Sequence, residues 1–257
     1  VSYRIEKNEV SYFVSSGLSN REGTIKRSGA KCVHCNSSIE LSAIRQQGKE
    51  GTLSQRLIAV VAEGEKGRLF LSPDDYQANV ALLVDKCDLS LGELAHYPGY
   101  INPPAYGFTT IESLFTRRQL LAISELCSVL SSLREKLRQD IKAVSDNSSY
   151  KNEYISDYEK AILVYMAFLI DQVAGHSSAI CSWNAPNTQM RSTFGMTGIP
   201  MTWDYAECNI FSHSTGSFHN LLERMVKGFS TLGGGLIGHV QQFDAQMDSG
   251  MRNILIS

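Results

Sequence analysis

Residues 120–144 read LLAISELCSVLSSLREKLRQDIKAV, and the apolar side chains in this stretch recur at steps of three and four. That spacing places them on one face of an α-helix, because a helix turns once in about 3.6 residues. The face consists of Leu120, Ile123, Leu126, Val129, Leu130, Leu133, Leu137, Ile141 and Val144. The stretch therefore predicts a long helix that buries one side against neighbouring elements.

Two further helices are predicted after this stretch. The first covers residues 158–173 and the second covers residues 218–229. Their apolar faces are formed by Ile162, Met166, Leu169 and Val173 in the first, and by Leu221, Leu222, Met225 and Val226 in the second. Small polar residues at 214–217 are candidate N-caps for the second helix. Residues 254–256 are Ile-Leu-Ile, which is typical of a buried parallel strand.

Shorter patterns, typical of strands and turns, occupy the first 95 residues. The apolar runs at 57–62 and 68–71 are separated by a cluster of Gly, Glu and Lys, which predicts an antiparallel hairpin. Ser72 and Pro73 then predict a helix start, with Ser72 as the N-cap. Residues 96–107 contain three prolines and two glycines, so they mark either a boundary or an ordered surface loop.

These patterns predict an α+β chain with two parts, a β-rich subdomain at 1–95 and a mainly helical region at 96–257. The chain has 257 residues, of which 43% are hydrophobic and 19% charged, so disorder of the whole chain is excluded. No apolar run is long enough to span a bilayer and the first residues do not resemble a signal peptide, so we expect a cytoplasmic protein without a membrane partner. Because residue 1 is not Met and the last residues are apolar, we also expect an internal segment of a longer protein.

The net charge of −2 argues against a free-standing nucleic-acid binder with a positive field over its whole surface. The charge is unevenly distributed, however. Residues 1–70 hold 11 Lys and Arg against 7 Asp and Glu, a net charge of +4, and the remainder carries −6. Basic residues are therefore concentrated towards the N-terminal end.

Cys32-Val33-His34-Cys35 has the two-residue spacing that lets two thiolates bind one Zn²⁺ ion in a tight turn. A structural zinc site needs four ligands, and the other four cysteines are isolated from one another in the sequence. The motif is therefore either a zinc knuckle that forms half of a ribbon, with the other Cys pair upstream, or two reduced thiols without metal. A redox role is disfavoured, because the surrounding sequence lacks a thioredoxin-like strand-to-helix pattern.

Arg117 and Arg118 stand at the start of the long predicted helix, after Thr116 as a candidate N-cap. Paired arginines are unfavourable there, because the partial positive charge at a helix N-terminus favours acidic residues. Such a conflict often marks a functional site, and phosphate contact is an obvious use for two guanidinium groups. The alternative is a solvated pair or a salt bridge to Glu112.

Residues 203–211, Trp-Asp-Tyr-Ala-Glu-Cys-Asn-Ile-Phe, contain the densest mixture of aromatic and polar side chains in the chain. Asp204 and Glu207 are three residues apart and would share one face of a helix. Neighbouring aromatic rings raise a carboxyl pKa or stack on a nucleobase, so the segment is a candidate site. The alternative is a helix start that Trp203 and Phe211 pack in place.

Several of these segments together resemble a known enzyme family. They are residues 106–109, 114–120, 178–183, 194–195 and 199–211, with Cys32 to Cys35 and the residues around Gly64 and Gly67 upstream. In the same order they resemble the large prokaryotic S-adenosylmethionine-dependent DNA adenine methylases that carry an N-terminal domain of unknown function and occur in defence-type gene clusters. Arg117 replaces a proline that is usual in that family, and Cys208 and Ile210 replace the usual valine and proline.

The resemblance implies that this chain lies between the glycine motif that binds S-adenosylmethionine and the catalytic Asp-Pro-Pro-Tyr motif. Its second part would then reach into a Rossmann-like methyltransferase core. Double-stranded DNA is the implied partner, with Arg117 and Arg118 on its phosphates and other defence-system proteins as further partners. Asp204, Glu207 and Asn209 would lie near the catalytic face. Because neither motif is present, we expect the chain alone neither to bind S-adenosylmethionine nor to methylate DNA.

Two other classes of protein fit the same residues. One is a non-catalytic module, built from a zinc ribbon and helices, that binds nucleic acid or a partner protein. The other is a purely structural or dimerising helical domain. DNA binding that weakens with salt would separate the first two classes from the third.

Overall fold

The computed structural model describes residues 1–7, 9–17, 23–84, 89–145 and 152–232. Within them the chain has mixed α and β structure with small sheets, which confirms the predicted mixture. The predicted strand at 254–256 lies outside the described residues. No parallel sheet occurs in the described part, so a Rossmann-like core stays a prediction.

Every sheet in the described part is antiparallel and has two or three strands. The strands are β1 (Ser2–Glu6), β2 (Glu9–Phe13), β3 (Ile25–Lys26), β4 (Gly29–Lys31), β5 (Ser38–Glu40), β6 (Val60–Gly64), β7 (Gly67–Leu71), β8 (Trp183–Asn184) and β9 (Gln189–Met190). The predicted hairpin is confirmed as β6 and β7, which pair from Val60 with Leu71 to Gly64 with Gly67.

Five α-helices lie in the described part, and two short 3₁₀ turns precede the longest of them. The helices are α1 (Leu41–Lys49), α2 (Asp75–Val80), α3 (Arg117–Ser145), α4 (Asn152–Gly175) and α5 (Phe218–Phe229), and the turns are Pro103–Tyr106 and Glu112–Leu114. The three helices predicted from apolar spacing are confirmed as α3, α4 and α5. Among the described helices, none combines the length and apolar character needed to cross a membrane.

The N-terminal caps explain where the helices begin. At α3 the predicted cap is confirmed, because the Thr116 hydroxyl accepts the amide of Gln119 at 3.3 Å and the Gln119 side chain accepts the amide of Thr116 at 2.8 Å. The predicted cap of α2 at Ser72 is wrong. Asp74 caps that helix instead, since its carboxylate accepts the amide of Tyr76 at 2.7 Å.

The main core lies where α4 meets α3 and α5. Leu169 and Val173 of α4 are fully buried there, and Leu221 of α5 and Ile210 are buried beside them. Partly buried apolar residues from all three helices surround them, namely Ala122, Leu126, Met166, Phe218, Leu222 and Met225. The predicted apolar faces thus pack against one another through these residues, whereas Val129 and Val226, predicted on the same faces, are 59% and 57% exposed.

A buried carboxylate joins α3 to α4. Glu159 accepts hydrogen bonds from the guanidinium groups of Arg134 at 2.7 Å and Arg138 at 2.8 Å. The bond from Arg134, with that from Arg138 next, holds the pKa of Glu159 below its usual range. The two arginines are one turn apart on α3, so a single acid on α4 fixes the register of the two helices.

The predicted parts 1–95 and 96–257 contact one another. A Cβ at Gly48 of α1 would overlap the carbonyl oxygen of Tyr106, so the backbones of α1 and the turn Pro103–Tyr106 approach closely. The Phe70 ring of β7 stands edge-on to Trp183 of β8, with centroids 6.4 Å apart. These contacts bring residues from both parts to the candidate site.

Candidate functional site

Residues 203–211 do not form the predicted helix, so the shared helical face of Asp204 and Glu207 is wrong. Residues 203–204 lie in a bend, 205–209 have no regular secondary structure and 210–211 lie in a turn. The Ala206 amide donates to the Cys181 carbonyl at 2.8 Å, and the Ile210 carbonyl accepts the amide of Phe218 at 3.0 Å. Side chains from 206 to 211 alternate between the interior and the solvent. An extended backbone produces this alternation, because successive side chains point to opposite sides.

The buried and exposed members of this segment differ in chemistry. Cys208 and Ile210 are buried, whereas Asn209 and Phe211 are exposed and Glu207 keeps 28% of its side chain at the surface. The apolar members anchor the segment to the core and leave the polar members and one aromatic ring at the surface. The segment is therefore anchored to the core on one side and presents polar side chains and one aromatic ring on the other.

A bidentate ion pair ties this segment to the start of α3. Arg118 donates from Nε to one Glu207 oxygen at 2.5 Å and from Nη2 to the other. Both side chains are about three-quarters buried, with 26% and 28% of their surface exposed. Two parallel hydrogen bonds from a planar guanidinium fix the carboxylate in orientation as well as in position.

Tyr205 extends the ion pair into the N-terminal part of the chain. Its hydroxyl accepts a hydrogen bond from Arg118 Nη2 at 3.2 Å and donates one to the side-chain oxygen of Gln55. Burial raises the pKa of the Tyr205 phenol, so the hydroxyl keeps its proton at neutral pH. We call Gln55, Arg118, Tyr205 and Glu207 the arginine network.

The network determines which charges remain available to a ligand. Burial opposes the charged form of Arg118, but the hydrogen bonds and the charge of Glu207 outweigh it and raise the pKa of Arg118. Arg118 and Glu207 neutralise one another at neutral pH. In this arrangement Glu207 positions the segment rather than serving as a free base.

The remaining candidates are exposed. Arg117 and Asp204 have no ion pair within the described residues. The Asn209 side chain accepts the amide of Phe211 at 3.0 Å, which closes a turn that presents the Phe211 ring. That ring is 86% exposed.

The alternative salt bridge from Arg117 or Arg118 to Glu112 does not form. Glu112 accepts the backbone amide of Leu91 at 3.0 Å instead. Hydrogen bonds from backbone amides, its own first and that of Leu91 next, lower the pKa of Glu112. Arg118 pairs with a carboxylate that is remote in sequence, and Arg117 is the one of the two that faces solvent.

Cys32 and Cys35 lie in the tight turn between β4 and β5, as a knuckle requires. The Asn36 amide donates to the Cys32 carbonyl at 2.9 Å, and Asn36 adopts a left-handed backbone with φ 60°. The Ser37 hydroxyl lies 2.9 Å from the Cys35 sulfur, and this hydrogen bond is the main cause of a lowered pKa of the Cys35 thiol. A lowered pKa favours the thiolate, which is the form of cysteine that binds metal ions.

The donor set is nevertheless half of what a structural zinc site needs. Within the described residues, no group of three or more His, Cys, Asp and Glu side chains is placed to hold a metal ion. Both sequence interpretations, half of a ribbon and two reduced thiols, therefore stay open.

Sequence reasoning missed two members of the network. Gln55 lies 150 residues before Tyr205, and nothing in its neighbourhood marks it. Tyr205 lies inside the candidate segment but had no assigned role. By contrast, the alternation of apolar and polar residues from 206 to 210 is visible in the sequence and indicates an extended backbone in this stretch.

Comparisons of this chain with protein families, with curated proteins and with solved structures find no match.

Proposed function

We propose that this chain is the part of an S-adenosylmethionine-dependent DNA adenine methyltransferase that contacts DNA and supports the catalytic core. The order of the resembling segments supports this proposal. The single observation that carries it is the arginine network, which uses Arg118 to fix residues 203–211 against α3 and leaves Arg117, Asp204 and Asn209 exposed.

The roles within this proposal follow from charge and exposure. Arg117 would contact a DNA phosphate, because its guanidinium has no acidic partner in the described part of the chain. Asp204 and Asn209 would face the catalytic centre, with Glu207 and Arg118 holding them in place. S-adenosylmethionine would bind mainly to residues outside this chain, since the chain contains neither the glycine motif nor the Asp-Pro-Pro-Tyr motif.

Replacing Arg117 by alanine should weaken binding of the 257-residue chain to duplex DNA of any sequence. Loss of one phosphate contact should reduce the slope of log affinity against log salt concentration by about 1. Fluorescence anisotropy with a labelled duplex at several salt concentrations measures both quantities. Arg224→Ala, an exposed arginine on α5, is the matched control. Unchanged affinity and slope for Arg117→Ala would show that Arg117 is a solvated surface residue that makes no DNA contact.

A second candidate function is a non-catalytic zinc-ribbon module that binds nucleic acid or protein. The observation that favours it is the turn that holds a half-buried Cys32 and an exposed Cys35, with a lowered pKa of the Cys35 thiol. In this case the fold would depend on metal binding, and the chain would take no part in methyl transfer.

This chain should bind Zn²⁺ weakly, because two thiolates supply only half of a tetrahedral site. A longer protein that contributes a second Cys pair should bind the ion tightly, and Cys35→Ser should abolish that binding in both. Competition with a chromophoric chelator measures the affinities, and Cys127→Ser, a remote exposed thiol, is the control. Tight one-to-one binding of Zn²⁺ by this chain as a monomer would contradict the inference that the chain supplies only half of the zinc ligands.

A further inference from the structure

Two loops, residues 97–106 and 198–203, carry four aromatic side chains near the candidate site. They are Tyr97, Tyr100, Tyr106 and Trp203, and we call this set the aromatic loops. Tyr97 and Tyr100 are 62% and 54% exposed, and Trp203 is 38% exposed. Large aromatic side chains usually bury most of their surface. The exposure of several of them on these two loops therefore indicates a binding surface.

Backbone hydrogen bonds hold the two loops together. The Ile199 amide donates to the Tyr100 carbonyl at 2.6 Å, and the Asn102 amide donates to the Ile199 carbonyl at 3.0 Å. Gly198 packs so closely that a Cβ there would overlap the Tyr100 carbonyl oxygen. The rings are therefore mounted on a fixed backbone.

The α1 helix braces the same loops through two glycines. A Cβ at Gly48 would overlap the carbonyl of Tyr106, and a Cβ at Gly107 would overlap the carbonyl of Gly48. Gly107 also adopts φ 92°, which favours glycine. The helix and the loops are thus closely packed through their backbones, and a preorganised surface loses little entropy when it binds.

The rings are arranged in pairs, and one cation lies over a ring. Tyr97 and Tyr100 lie with centroids 5.3 Å apart, and Tyr106 and Trp203 meet edge-on at 5.1 Å. The Arg45 guanidinium of α1 lies over the Tyr106 ring, 5.5 Å from its centroid. Lys49 follows one turn later on α1, and neither cation has an ion pair among the described residues.

We propose that the aromatic loops stack on unpaired nucleobases of a DNA strand, with Arg45 and Lys49 contacting its phosphates. This inference rests on the proposed function, because it takes DNA as the partner. Every nucleobase has a π-face, so aromatic rings beside unpaired cations fit any single-stranded sequence. An apolar peptide would also cover exposed rings, but it would leave Arg45 and Lys49 without an anionic partner.

Trp203 reports directly on such stacking. The chain contains two tryptophans, so Trp183→Phe leaves Trp203 as the single tryptophan. Titration with a twelve-nucleotide DNA strand should quench its fluorescence. A strand of the same length built from abasic residues should still bind through its phosphates, with lower affinity and without quenching.

In the same background, Tyr97→Ala with Tyr100→Ala should weaken binding of the base-containing strand about five- to hundred-fold, which is the range for loss of base stacking. Binding of the abasic strand should not change. Tyr158→Ala removes an exposed tyrosine of α4 and is the matched control. Arg45→Ala with Lys49→Ala should reduce the salt slope for both strands.

The two strands separate this inference from the proposed function. Salt-dependent binding of both strands with equal affinity and no quenching would overturn base stacking and leave phosphate contact in place. Binding of neither strand, nor of a duplex, would overturn both proposals. Equal loss of affinity in the Tyr158 control would also contradict a specific role of the aromatic loops.

Discussion

Replacing Leu169 by alanine is expected to lower the free energy of unfolding by about 2–5 kcal/mol, the range for a large-to-small change in a packed core. Leu169 has no exposed surface and lies at the centre of the cluster with Val173, Leu221 and Ile210. Alanine removes buried apolar atoms and leaves a cavity that three packed helices cannot close. Urea denaturation followed by circular dichroism measures the change.

Val164→Ala is the control on the same helix. Val164 is 50% exposed, so its truncation should change the stability by less than about 0.5 kcal/mol. Equal effects of the two substitutions would contradict the packing of α4 between α3 and α5. The comparison also bears on the site, because Ile210 belongs to this core and anchors the segment that carries Glu207 and Asn209.

The helical part of the fold could be predicted from the sequence because its signal is local and repeated. Apolar residues at steps of three and four identified α3, α4 and α5, and small polar residues predicted the caps at Thr116 and Ser217. The α2 cap was misplaced by two residues because Ser72, Pro73 and Asp74 are all favourable near a helix start. Asp74 caps because its carboxylate reaches the Tyr76 amide.

The conflict at the start of α3 was also visible in the sequence, but its resolution was not. Two arginines occupy a first turn that contains no acidic residue. The fold supplies the missing negative charge from Glu207, 89 residues away, which pairs with Arg118 beside the helix N-terminus. Local sequence showed that compensation was needed, whereas only the folded chain shows which residue provides it.

The helix expected from the spacing of Asp204 and Glu207 does not form, because apolar residues between 206 and 210 recur at every second position rather than at steps of three and four. Asp204 and Glu207 suggested one helical face, but Ala206, Cys208 and Ile210 alternate with polar residues, which is the pattern of an extended segment. Contacts such as Tyr205 with Gln55 leave no trace in either sequence neighbourhood. Long-range polar contacts of this kind are the part of the site that sequence patterns could not supply.

Arg118→Ala is expected to lower the stability by about 1.5–3 kcal/mol, the range for hydrogen bonds to charged groups. The substitution removes both bonds to Glu207 and leaves that carboxylate partly buried without its cation. Arg117→Ala, at the neighbouring exposed position, should change the stability by less than about 0.5 kcal/mol. The two substitutions remove the same side chain from adjacent positions. The difference between their effects on the free energy of unfolding therefore measures how much the arginine network stabilises the protein.

A double-mutant cycle tests whether Arg118 and Glu207 act as one unit. Once Arg118 is alanine, Glu207→Gln should cost less than it does in the original chain, because the pair is already broken. The expected coupling energy is about 0.5–3 kcal/mol. Additive effects of the two substitutions on the free energy of unfolding would contradict the ion pair. Tyr205 would then have to hold residues 203–211 against α3 without the ion pair between Arg118 and Glu207. If the pair is coupled, Arg118 is committed inside the protein, and of the two arginines only Arg117 is free to contact a phosphate.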